Sequence, residues 1–204
     1  MRITSVAIWV LAVAIAGFAV GCGDDGGGAV DAKVADAPPI DSPPVQLTCA
    51  SYCSSIMGNC TGATDKQFGS VADCMNTCTH FPVGTAADMA GNTLGCRIYH
   101  AGAAAGAPAV HCRHAGPGGN GACGGDCEGF CTLVLGSCTG ANMQYGGNMG
   151  MCMTACNGFA TTPPYDSSKT GGNSFACRLY HATVASGTPN VHCAHTGAVS
   201  TTCQ

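Results

Sequence analysis

The sequence predicts a mainly α protein built from small disulfide-rich helical domains in tandem, each a stapled helical hairpin with a third helix. Three observations carry this reading. Cysteine makes up 17 of 204 residues, the density of a disulfide scaffold rather than of a reduced cytosolic enzyme. Once Cys22 is set aside, the other sixteen fall into two runs of eight with nearly the same spacing. Within each run, pairs of cysteines stand four apart, on one face of a helix.

The first run is Cys49, Cys53, Cys60, Cys74, Cys78, Cys96, Cys112 and Cys123; the second is Cys127, Cys131, Cys138, Cys152, Cys156, Cys177, Cys193 and Cys203. Five of the seven intervals are identical, and the other two differ by three residues and by one, in Gly- and Pro-rich stretches where loops tolerate insertion. The chain therefore divides into a leader (1–21), a tether (22–46) and two repeats (47–125 and 126–204). Eight cysteines per repeat close as four bridges with no thiol left over, and a unit of under 80 residues needs such staples because its core is small.

The leader has Met1 and Arg2, an apolar run from Val6 to Val20, and Ala19-Val20-Gly21 directly before Cys22, the layout of a secretory signal. Its end resembles the lipobox of bacterial lipoproteins. The resemblance implies that Cys22 is lipidated and becomes the new N-terminus, so that the membrane is a partner through an N-terminal lipid. Cleavage after Ala16 would instead leave Cys22 as a stray thiol, and an uncleaved anchor calls for more flanking basic residues than Arg2 alone. Residues 23–46 are Asp, Ala, Gly and Pro with little to bury, as in a flexible spacer. Gly23 after the lipid cysteine implies, by the lipoprotein resemblance, the outer membrane of the cell envelope.

In each repeat Cys49, Cys53, Ile56 and Cys60, or Cys127, Cys131, Val134 and Cys138, share a helix face. Val71, Cys74 and Cys78, or Met149, Cys152 and Cys156, share another. Two such helices lying antiparallel are stapled twice, Cys49 to Cys78 and Cys53 to Cys74, and correspondingly Cys127 to Cys156 and Cys131 to Cys152. The double C-x3-C spacing is similar to that of the α-hairpinin peptides. The four cysteines left in each repeat allow three connectivities. A third helix follows Gly91-Asn92-Thr93 and Gly172-Asn173-Ser174, where Asn, Thr or Ser can cap it, and stops before Pro108 and Pro189. The segments AVHCRHAG and NVHCAHTG are expected to be less regular.

The chemistry lies beside the cysteines. A net charge of −4 with seven basic residues gives no footprint for nucleic acid. There is no C-x-x-C, H-E-x-x-H, G-x-S-x-G or phosphate-binding glycine loop. The six carboxylates of the repeats (Asp65, Asp73, Asp88, Asp126, Glu128 and Asp166) do not match between copies, which argues against a paired-carboxylate hydrolase. What recurs is C-R-[IL]-Y-H, ten residues, then H-C-x-H. It supplies Arg97, Tyr99, His100, His111 and His114 in the first repeat, and Arg178, Tyr180, His181, His192 and His195 in the second. Three imidazoles per unit is the number used by a catalytic zinc site, and zinc, copper or haem are the cofactors such a set could serve. The plainer reading makes these side chains structural: imidazoles donating to carbonyls, and Arg and Tyr capping helix ends. Met149, Met151 and Met153 read as helix packing. His80 has no counterpart.

The whole repeat, including GNTLGCRIYHAG and HCRHAGPGG, looks like units in cysteine-rich lipoproteins of Gram-negative bacteria, notably of myxobacterial type. That resemblance implies an envelope location and no activity. The sequence thus supports a lipid-anchored, non-enzymatic binding or structural module without a resident cofactor. The alternative is a His-based transition-metal or haem protein. It specifies no protein or small-ligand partner.

Overall fold

The first hairpin begins where a small polar side chain can accept from N–H groups that no helical carbonyl reaches. In the computed structural model, which describes residues 46–204, Thr48 caps α1 (Cys49–Asn59) and Ser70 caps α2 (Val71–Cys78), each hydroxyl accepting from the N–H three residues on at 3.1 Å. Thr93 caps α3 (Leu94–Ala103) through the N–H of Cys96. The leader, Cys22 and nearly all of the tether lie outside these residues. The second repeat follows the same order, with α5 (Asp126–Ser137), α6 (Met149–Cys156) capped by Asn148, and α7 (Phe175–Ala185) capped by Ser174. The loop between α5 and α6 holds two short 3-10 turns, Gly140–Asn142 and Tyr145–Gly147.

The segments expected to be irregular are helices: α4 (Pro108–Ala115) and α8 (Pro189–Thr196). Proline does end the helix before it, but it also fits the first position of the next one. There its missing N–H is not needed and its fixed φ is already helical. Each repeat therefore has four helices, not three. Among the described residues there is no strand, and no helix is long and apolar enough to cross a membrane.

All sixteen repeat cysteines are bonded. The hairpin rungs are Cys49–Cys78 and Cys53–Cys74 in the first repeat, Cys127–Cys156 and Cys131–Cys152 in the second. Of the three connectivities open to the remainder, the structure has the one that ties the end of the first helix to the fourth, Cys60–Cys112 and Cys138–Cys193. It also ties the third helix to the loop after the fourth, Cys96–Cys123 and Cys177–Cys203. Eight disulfides belong to an oxidising, extracytoplasmic compartment.

Each core centres on an aromatic cluster with a buried arginine on it. Tyr52 packs edge-on against Phe68 and Phe81, and the Arg97 guanidinium lies 3.8 Å from the centre of the Phe81 ring. In the second repeat Phe130 packs against Tyr145, Phe159 and Phe175, with Arg178 4.1 Å from the Phe159 ring centre. Tyr52 donates its hydroxyl to the carbonyl of Ala115, the last residue of α4, at 2.7 Å; Tyr145 does the same for Thr196, the last residue of α8, at 2.5 Å. These tyrosines are not equivalent in sequence. Counted from the matched cysteines, Tyr52 corresponds to Phe130, and Tyr145 to Gln67.

The repeats pack on each other through polar contacts. Thr77 of α2 donates to the carbonyl of Thr183 in α7 at 3.2 Å, and Tyr165 to that of Gln67 at 2.8 Å. His80 meets Ser137 at 3.1 Å, and Ser137 meets Ser186 at 3.0 Å. The unmatched histidine is thus part of the joint between repeats, kept neutral by burial, which lowers its pKa.

The methionines depart from the packing expectation. Met153 lies against the core, but Met149 and Met151, on the same short helix, face solvent.

Candidate metal centre

His100 is carried by α3 and His111 and His114 by α4, and the bridges decide where they point. Cys96, one turn before His100, is bonded to Cys123, which fixes the inner face of α3. Cys112 lies between the two histidines in sequence, and its bond to Cys60 holds α4 against α1. On a helix, residues 111 and 114 share a face while 112 is turned about 100° from 111. Thus H-C-x-H sends its cysteine inward and both imidazoles to one side. The second repeat repeats this on α7 and α8 with Cys177, Cys193, His181, His192 and His195.

The result is two imidazole triads. His100, His111 and His114 each offer a ring nitrogen, all within 4.8 Å of one another, and so do His181, His192 and His195. The Nδ1 atoms of His100 and His111 are 2.9 Å apart, and those of His181 and His192 3.0 Å. In the second triad, Nδ1 of His195 lies 3.3 Å from that of His181. The Nδ1 of His114 is buried without a hydrogen-bond partner. His100 and His181 are buried; the other four are half-exposed, so each triad opens to solvent on one side.

One backbone carbonyl completes each arrangement, and nothing in the sequence marks it. Nε2 of His100 lies 3.2 Å from the carbonyl oxygen of Met89, and Nε2 of His181 lies 3.2 Å from that of Thr170. A carbonyl can only accept, so Nε2 carries the proton and Nδ1 presents its lone pair to the other two rings, the outer-shell device that orients metal-ligating histidines. Cys96 and Cys123 also lie near His100, as Cys177 and Cys203 do near His181. Their sulfurs are bonded to each other and offer no thiolate. Arg97 and Arg178 are structural, donating to the carbonyls just beyond α4 and α8.

Burial holds His100, His114, His181 and His192 toward the neutral form. It is the largest influence lowering the pKa of His100, with the charges of His114 and His111 adding to it against the hydrogen bond to Met89. It lowers His114 and His192 as well, each with a neighbouring imidazole contributing and with Asp73 opposing it at His192. His181 is held down at about 4. Because the unfolded imidazole titrates near 6.5, the unfolded chain binds the extra proton between these values. The stability from neutral His181 is therefore complete above about pH 6.5 and is lost as pH falls toward 4. Denaturant unfolding in the presence of a chelator is expected to give about 2 kcal/mol less stability at pH 4.5 than at pH 7.5 from this group. His181→Gln should remove most of that difference.

A family model described as the BfoA family C-terminal domain matches residues 35–126 and, a second time, residues 127–202. The chain belongs to the BfoA family. Each BfoA match contains one complete triad, one aromatic cluster and one buried arginine. The BfoA segments meet between Asp126 and Cys127, at the start of α5. No curated protein and no solved structure matches the chain.

Proposed function

We propose that this BfoA-family chain is a lipid-anchored, extracytoplasmic, non-enzymatic binding protein whose two repeats each hold one divalent transition-metal ion on three imidazoles. The observation that carries the reading is the recurrence, in two diverged copies, of three ring nitrogens within 4.8 Å, each set with one tautomer fixed by the carbonyl at the same position, Met89 or Thr170, although the residue differs. Separations of 2.9–3.3 Å correspond to angles of roughly 90–110° at an ion about 2.05 Å from each nitrogen, which suits zinc or cupric ion. Haem fits poorly, because a macrocycle does not pass between ring nitrogens 2.9 Å apart.

Three neutral donors leave the remaining positions on the ion to water or a small anion from the open side. Neither triad includes a carboxylate to serve as a base, which favours holding an ion over converting a substrate. Anchoring rests on Ala19-Val20-Gly21-Cys22 and on the spacer after it.

Metal titration of the oxidised protein tests the reading. Zinc or cupric ion is expected to bind at two per chain. The stoichiometry should fall to one in the His100→Ala/His111→Ala/His114→Ala variant and likewise in His181→Ala/His192→Ala/His195→Ala, with circular dichroism unchanged. No stoichiometric binding, or binding indifferent to both triple variants, would overturn it.

A further inference from the structure

Methionine is ordinarily among the buried residues, yet five of the eleven large apolar side chains exposed among the described residues are methionines. Three of them belong to one stretch of the second repeat. Met143, Met149 and Met151 are 51, 43 and 58 % exposed. They are not needed for packing, since Met153 of the same helix and Met57 already face the core.

The local backbone places two of their sulfurs against one turn. Gly146 and Gly147 have φ of 60° and 68°, the left-handed region that glycine enters freely, and they fold the chain back so that residues 143 and 151 flank one turn. The sulfur of Met151 lies 3.7 Å from where a Cβ on Gly146 would stand, and that of Met143 lies 3.5 Å from the same point on Gly147. Two thioethers therefore rest against adjacent glycines with no side chain between, and Met149 starts the helix that follows. Methionine has three rotatable bonds and adapts readily to what it binds, so these sulfurs can close on a single ion.

The turn is also attached to α8, the helix that carries two histidines of the second triad. Asn142, next to Met143, donates to the side-chain oxygen of Asn190 at 2.6 Å, two residues before His192, and Tyr145 donates to Thr196, the residue after His195. The first repeat lacks this feature. Asp65, Val71 and Asp73 stand where the second has Met143, Met149 and Met151.

We infer that Met143, Met149 and Met151 form a thioether site for a soft univalent ion, Cu(I), beside the imidazole triad of the second repeat. Thioethers select Cu(I) over zinc, magnesium or calcium, whereas imidazole suits Cu(II). Copper is the metal whose two common oxidation states these neighbouring donor sets divide between them. The choice of copper as the protein's metal rests on reading the triads as metal sites; the thioether site does not depend on that reading.

The test uses the oxidised full chain labelled with 13C at the methionine methyls. One equivalent of Cu(I), kept reduced by ascorbate without oxygen, is expected to shift the methyl signals of Met143, Met149 and Met151 and leave those of Met57 and Met153 in place. In competition with a chromogenic Cu(I) chelator, Met143→Leu/Met149→Leu/Met151→Leu should bind Cu(I) at least tenfold more weakly while still taking two zinc ions per chain. Unshifted methyls, or a triple variant with unchanged Cu(I) affinity, would overturn the proposal. Shifted methyls in a chain that takes no zinc would remove the triad reading and leave the thioether site standing.

Discussion

Reduction of the eight disulfides by excess dithiol is expected to unfold both repeats. The reason is the size of the core relative to the chain that it must hold. Each repeat buries one aromatic cluster and a few aliphatic side chains, and units this small seldom gain more than a few kcal/mol from a core alone. Against that stand four bridges. In the chain-entropy account a bridge spanning 21 residues, such as Cys53–Cys74, contributes about 3 kcal/mol, and the spans of 52 and 55 residues closed by Cys60–Cys112 and Cys138–Cys193 about 4 kcal/mol each. These contributions are not additive within one unit. Even a fraction of them equals the whole stability of an ordinary domain. Far-ultraviolet circular dichroism and protease resistance, followed during reduction, should both collapse. Native-like helicity and resistance in the fully reduced chain would show that the core suffices by itself.

Arg97→Met is expected to destabilise the first repeat by about 2–3 kcal/mol, the range for losing the hydrogen bonds of a charged donor and leaving a buried carbonyl unsatisfied. Arg97 is buried with no carboxylate partner. Its Nε donates to Gly116, one terminal nitrogen to Pro117 and the other to Thr93, each at 3.3 Å. Burial lowers its pKa to about 10, so it remains charged at neutral pH. Two of its acceptors are carbonyls just past α4, where the helix dipole gathers negative charge; that of Gly116 also accepts from the N–H of Gly119, whereas that of Pro117 depends on the guanidinium. Methionine would fill most of the volume and leave the Pro117 oxygen without its donor. Arg97→Lys is not a rescue, because one ammonium cannot span three carbonyls held by a planar fork. Denaturant unfolding with the disulfides intact measures the loss. Since the same carbonyls follow directly on His111 and His114, metal binding by the first triad should weaken in parallel, with the second triad unaffected.

Much of this architecture could be read from spacing. Cysteines at i and i+4 in two successive segments define facing helices, and Thr93 and Ser174 announce the starts of α3 and α7. The fourth helix was missed because Pro108 and Pro189 fit two roles, and only the tertiary bond from Cys112 or Cys193 reveals the second. On a helix the bridged cysteine of H-C-x-H faces away from both histidines, a geometry that an irregular segment does not impose. The acceptors for His100 and His181 are carbonyls of Met89 and Thr170, and a carbonyl leaves no trace in residue identity. The exposure of Met149 and Met151 was hidden for a related reason. The eight residues of α6 bury their cysteines, and a short apolar segment does not show which of its other faces is wet.

The hydrogen bond that closes each aromatic cluster, from Tyr52 to Ala115 and from Tyr145 to Thr196, bears on how such duplicated units diverge. The hydroxyl reaches the same carbonyl from opposite walls of the core, once from a helix and once from a loop. A column-by-column comparison of the repeats would count two mismatches, Tyr52 with Phe130 and Gln67 with Tyr145. The two differences are instead one exchange, in which the phenol changed its point of attachment and kept its destination. In the two repeats the donor arrives at the same place in space, while the position that delivers it differs.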